Sequence, residues 1–120
     1  LTALGADYDR FCSFTDRYAD WILQYFQALA ASDVPVVMIH DDIVWTSGAF
    51  ARRDWYLNHV FANYEKLFEP LHKVGKIILY TSDGDYTEFI DDIAACGING
   101  FVMEPCTDIL LSIMEKPMLL

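Results

Sequence analysis

At 120 residues the chain is long enough for one domain with a real core. Hydrophobic residues make up 54% and aromatics 15%, which argues against an intrinsically disordered segment. The net charge of −10, from 18 acidic against 8 basic residues, argues against nucleic acid and anionic membranes as partners, because no basic stripe exists to release phosphate counterions.

The apolar content exceeds that of most small free-standing domains, so either the core is generous or part of the surface faces something outside the chain. Cys12, Cys96 and Cys106 show no Cys-x-x-Cys spacing, a pattern that fits a reducing cytoplasm better than a disulfide framework. No signal peptide or transmembrane run is visible. Leu1 at the start and the apolar Met118-Leu119-Leu120 at the end read as cuts from a longer chain.

Residues 1–10 carry no clear pattern. From Asp9 to Ala31, Phe11, Phe14, Tyr18, Ile22, Tyr25 and Leu29 recur at three and four, which predicts an amphipathic helix with this aromatic stripe in the core. Pro35 stops it. Val36–Ile39 is the first expected strand, and 40–50 a loop too long to be a mere connector. Asp54 reads as the N-cap of a long helix reaching about Val74, with Trp55, Val60, Phe61, Tyr64, Leu67, Phe68 and Leu71 inward. Pro70, inside it, predicts a kink or a break.

Gly75 ends that helix, and Lys76–Tyr80 is a second strand, apolar enough to be a buried parallel one. Asp85 and Glu88 have capping-box spacing for the next helix, whose inner face is Phe89, Ile90, Ile93 and Ala94 and whose stop is Gly97. Residues 100–103 form a third strand. Thr107 or Asp108 caps a last helix with Ile109, Leu110, Ile113 and Met114 inward, ended by Pro117. The order α-β-α-β-α-β-α predicts an α/β fold with a parallel sheet and right-handed crossovers.

All three strands run into acids. The first gives way to His40-Asp41-Asp42, the second to Ser82-Asp83-Gly84 and the third to Glu104. The C-terminal ends of parallel strands are where ligands and catalytic groups collect. Asp41, Asp42, Asp83 and Glu104 are therefore expected to form one acidic mouth that hydrogen-bonds a substrate N–H or holds a general acid, since neighbouring carboxylates raise one another's pKa. Trp45 offers a flat wall for a planar substrate. The competing reading has Asp41 or Asp42 capping a loop, Asp83 shaping a turn, Glu104 solvated and Trp45 packing its loop. Ser82 has no His–acid partner at triad spacing, which speaks against a serine hydrolase.

Asp41-Asp42-x(5)-Gly48, a Trp-containing helix ending at Gly75, Ser82-Asp83-Gly84, and Gly97-Ile98-Asn99-Gly100 before a strand ending Glu104-Pro105 occur in this order. Over residues 35–108 the series resembles the uroporphyrinogen decarboxylase superfamily, which includes the corrinoid-dependent methyltransferases. The resemblance implies a TIM barrel. Residues 1–120 would be a single segment of its C-terminal half, a partial (β/α)8 barrel of about four βα units.

What the resemblance implies further is a carboxy-lyase acting on a tetrapyrrole or similar heterocycle. Asp42 and Asp83 would be catalytic, and His40, Asp41, Trp45, Gly48, Ser82, Gly84 and Glu104 substrate-binding, with no metal or organic cofactor. The partners would be the small-molecule substrate and the rest of the barrel or a second copy of the chain. The alternative is a methyltransferase relative with a corrinoid protein as partner, but Thr81 and Asp83 stand where that branch carries its His-x-Cys zinc pair. A receiver-like signalling domain or a non-catalytic fragment are further alternatives. The first fits poorly, because the acid pair follows a whole helix and no Lys ends a late strand.

Overall fold

A computed structural model describes residues 2–108. The expected last helix, with Ile109, Leu110, Ile113, Met114 and its Pro117 stop, lies outside the described residues. A short helix α1 (Thr2–Ala6) precedes α2 (Tyr8–Ala31). Asp7 caps α2 by accepting from the Arg10 N–H at 3.0 Å. At its other end Ser32 donates from both its N–H and its hydroxyl to the Leu29 carbonyl.

Strands β1 (Val36–His40), β2 (Ile77–Thr81) and β3 (Gly100–Phe101) form one parallel sheet in the order β1-β2-β3. Val36 pairs with Ile77 and His40 with Thr81, while Leu79 pairs with Gly100. The third strand is half its expected length. Beyond Phe101 one further bond, from Val102 N–H to the Tyr80 carbonyl, holds it. The structure thus has the expected alternation and a mixed α/β architecture with parallel strands.

Between β1 and β2 the chain forms one continuous helix in three parts: α3 (Arg53–Trp55), a π-helical segment (Tyr56–Phe61) and α4 (Ala62–Lys73). The π segment has a cause legible in the side chains. In a regular α-helix residues five apart point about 140° away from each other, whereas i→i+5 bonding brings them back toward one face. Tyr56 and Phe61 are both buried, with ring centroids 6.2 Å apart and stacked.

Pro70 does not break α4. Phe68 and Leu71 are fully buried on either side of it and hold both halves of the helix to the core. Asp54 is not the cap: the helix starts at Arg53 with Arg52 as N-cap, and Asp54 ion-pairs with Arg52 from the first turn. The box at Asp85 forms only in part. Its carboxylate accepts from Thr87, both N–H and hydroxyl, but its own N–H goes to the Trp45 carbonyl and is closed to Glu88. A 3₁₀ turn (Thr87–Phe89) then leads into α5 (Ile90–Ala95).

Only part of the expected stripe of α2 is core: Phe11, Ile22 and Leu29 are half-buried against it, whereas Phe14, Tyr18 and Tyr25 are not. The buried positions are Cys12, Ala19 and Phe26, seven apart, and Phe26 meets Phe68 of α4 at 6.0 Å. Small side chains at two of these three positions let α2 lie against its neighbour. The bulky rings are left on the flank: Phe14, Tyr18 and Tyr25, with Trp21, are half exposed or more and meet ring to ring along the helix. Polar ties clamp the helices together. Asp16 accepts from Asn63 at 2.9 Å and pairs with His59 at 3.1 Å, and Lys66 reaches Asp20.

Candidate active site at the strand ends

Because the three strands are parallel, His40, Thr81 and Phe101 end at the same side of the sheet. The Asp41 N–H extends the ladder by one bond, to the Thr81 carbonyl at 3.2 Å. The loop after β1 then folds back. Ile43 and Val44 are buried, Trp45 and Gly48 exchange two backbone bonds in a tight turn, and Gly48 adopts a φ of +106°. Tyr56, fully buried, anchors this loop by donating to the Ile43 carbonyl at 2.7 Å and accepting from the Phe50 N–H.

The turn after β2 fits directly beneath. Gly84 has a φ of +87°, and a Cβ there would sit 2.5 Å from the Trp45 carbonyl oxygen. Ser82 is completely buried: it accepts from Ile43 N–H and donates to the Asp83 carbonyl. Its position, expected to touch substrate, makes it a tie between two loops. Thr107 plays a similar part, donating to the Gly84 carbonyl and accepting from Tyr86 N–H.

Three of the expected side chains converge. His40 Nε2 lies 3.1 Å from Asp42 Oδ1 and 3.6 Å from Asp83 Oδ1, and the Asp83 N–H donates to Asp42 at 3.0 Å. One ligand atom from each falls within 4.8 Å of the others. All three are exposed, and exposed acidic groups are common without an ion.

Two cavities meet here. One, of about 600 Å³, is lined by Asp42, Asp83, Gly84 and the rings of Trp45, Phe50 and Trp55. The other, of about 520 Å³, shares Asp42, Phe50 and Trp55 and opens toward His40, Asp41 and Tyr64. Trp45 stands half exposed at the first, its ring 5.9 Å from Phe50, as a wall would. The Trp55 Nε1 is buried without a hydrogen-bond partner among the described residues.

Asp41 turns away from the trio. Its Oδ2 accepts from the Tyr64 hydroxyl at 2.7 Å, the Tyr64 and Tyr80 hydroxyls are 3.2 Å apart, and Tyr80 donates to the Asp41 carbonyl. The residue keeps an exposed flank, but its carboxylate faces inward. Burial pushes that carboxyl above its ordinary value, the Tyr64 bond works against the rise, and the Asp42 charge adds to it. Burial likewise raises the Tyr64 and Tyr80 phenols, so both act as neutral donors. Glu104 is exposed beyond β3 and stays outside the trio. Its charge adds to burial in pushing Tyr86 up to about 12.

Sequence reasoning singled out neither the tyrosines nor Thr107 as part of this site. The available signal was a tyrosine among phenylalanines at helical spacing, since a buried phenol needs a partner.

The uroporphyrinogen decarboxylase (URO-D) family model matches residues 1–118. The chain belongs to the uroporphyrinogen decarboxylase family. No curated protein matches it. No solved structure matches it.

Membership in the URO-D family implies a TIM barrel, and the described residues show three parallel strands with their helices. The zinc pair of its methyltransferase branch does not fit these residues. Thr81 is a buried hydroxyl and Asp83 a carboxylate, so neither imidazole nor thiolate is present at those positions. No helix of the described residues is long and apolar enough to cross a membrane.

Proposed function

We propose that this segment forms part of the mouth of a decarboxylase-like barrel. Its substrate would be a carboxylated tetrapyrrole or related heterocycle, and its reaction loss of carbon dioxide from the protonated ring. The observation that carries the reading is the convergence of His40, Asp42 and Asp83 at parallel strand ends, beside a cavity walled by Trp45, Phe50 and Trp55. Carboxylates are acceptors for pyrrole or amine N–H groups, and flat indole and phenyl walls suit a flat ring. The ring itself serves as the electron sink, so the reading asks for no metal and no organic cofactor.

The remaining strands come, on this reading, from the rest of a partial (β/α)8 barrel or from a second copy. Both outer strands, β1 and β3, have an unpaired edge among the described residues, which is the support for it. The test is carbon dioxide release from a carboxylated tetrapyrrole by the native protein. Asp42→Asn and Asp83→Asn should each lower kcat/KM by about 100-fold. Stoichiometric zinc in the purified protein, with methyl transfer to a thiol in place of carbon dioxide release, would replace this reading by the corrinoid-linked one.

A further inference from the structure

All three rim acids Asp41, Asp42 and Asp83 have an exposed flank, but Asp41 is in addition held from three sides. Its N–H is bound by the Thr81 carbonyl, its carbonyl by Tyr80 and its Oδ2 by Tyr64. Both tyrosines are buried to within a few per cent, and their hydroxyls touch each other. Their neighbours in the same layer, Phe68 against Tyr64 and Phe101 against Tyr80, are phenylalanines. Packing alone would accept phenylalanine at 64 and 80 as well. Two buried hydroxyls carry a desolvation cost unless each finds a partner, and both find the same residue.

We propose that Asp41 is the acid that hands a proton to the substrate and that Tyr64 and Tyr80 are its positioning residues. This rests on the decarboxylase-like reading of the site. Tyr64 occupies Oδ2, and Asp41 lines the cavity of about 520 Å³ that shares Asp42, Phe50 and Trp55 with its neighbour, so the proton is assigned to Oδ1. In the step, the proton leaves Asp41 Oδ1 for the substrate ring, the ring's carbon–carboxylate bond breaks, carbon dioxide departs, and the bonding pair returns to the ring. The negative charge left on Asp41 is met by the Tyr64 hydroxyl, already in place and fixed by Tyr80, so little reorganisation is needed as the charge appears. Burial supports the assignment by favouring the protonated form of Asp41 before the transfer.

The groups that face Asp41 are His40 and Asp42 on its own segment, Tyr64 from α4 and Tyr80 from β2. On α2, Asp16 is tied to His59 and Asn63.

The test uses native protein labelled at the aspartate side-chain carbon, with the Asp41 signal assigned through Asp41→Asn. The Asp41 carboxyl should titrate above the ordinary aspartate value. Tyr64→Phe, which removes the bond favouring the carboxylate, should move it up by about one pH unit. The limb of the pH–rate profile for carbon dioxide release should move with it, with kcat falling more than KM rises. Tyr80→Phe, reaching Asp41 through its carbonyl and through Tyr64, should give a smaller shift of the same sign.

Should Asp41 titrate at the ordinary aspartate value and ignore Tyr64→Phe, the proposal is overturned even if activity is found. It is equally overturned if Asp41→Asn retains full kcat while Asp42→Asn loses it. Absence of carbon dioxide release with the titration as expected would overturn both the decarboxylase-like reading and the step built on it, while leaving the Tyr64–Asp41 positioning intact.

Discussion

At the scale of single residues, Gly84 and Gly97 look alike on paper and differ in what surrounds them. Both have positive φ, but a Cβ on Gly84 meets the backbone of Trp45, which cannot move without unseating the loop. A Cβ on Gly97 meets the ring of His72, an exposed side chain whose Nε2 bonds the Gly97 carbonyl and can swing away. Gly84→Ala should therefore cost about 3 kcal/mol or more and Gly97→Ala about 1 kcal/mol, measured by urea unfolding. Asp41 makes a second residue-scale prediction. Its folded-state pKa is raised, so the folded protein binds more protons than the unfolded chain just above the ordinary carboxylate range. Stability should fall as pH climbs through that window, and Asp41→Asn should flatten the fall. The acids at 41, 42 and 83 were legible because strand ends are. Which of them turns inward was not, since that depends on Tyr64, 23 positions away.

At the scale of elements, α2 shows what a periodic pattern cannot settle. Rings at three-and-four spacing and the row of Cys12, Ala19 and Phe26 are both valid stripes on the same helix. The second packs because small side chains admit a neighbouring helix, a matter decided by α4. The clamp through Asp16 can be checked by pH. Burial opposes its ionisation, but the hydrogen bonds from His59 and Asn63 outweigh it and leave the carboxyl below its usual value. Its stabilising contribution is present above the unfolded carboxylate pKa and lost as pH falls through the lowered one. Asp16→Asn should therefore be less stable than the parent at pH 7, with the gap closing in acid. The π segment was also written in the sequence, as the pairs Trp55-Tyr56 and Val60-Phe61 five apart, a spacing that no α-helix buries on one side. The break expected at Pro70 does not occur because two fully buried neighbours outweigh one lost bond.

For the molecule as a whole, the sheet has three strands, and both outer ones have an edge with no strand beside it among the described residues. Val36 and Met38 lie exposed on the first of them, and the rings of Phe14, Tyr18, Trp21 and Tyr25 stand exposed on α2. Residues 1–120 by themselves should not remain monomeric. Light scattering should show self-association, weakened by Met38→Lys at the edge. A monodisperse, cooperatively melting monomer would count against a partial barrel. The bare edge of β1 also turns a quantity usually treated as intrinsic into one that depends on dose. If only the paired state is fully folded, dilution pulls the equilibrium toward the unfolded chain, so the melting temperature of this segment should climb with its molar concentration.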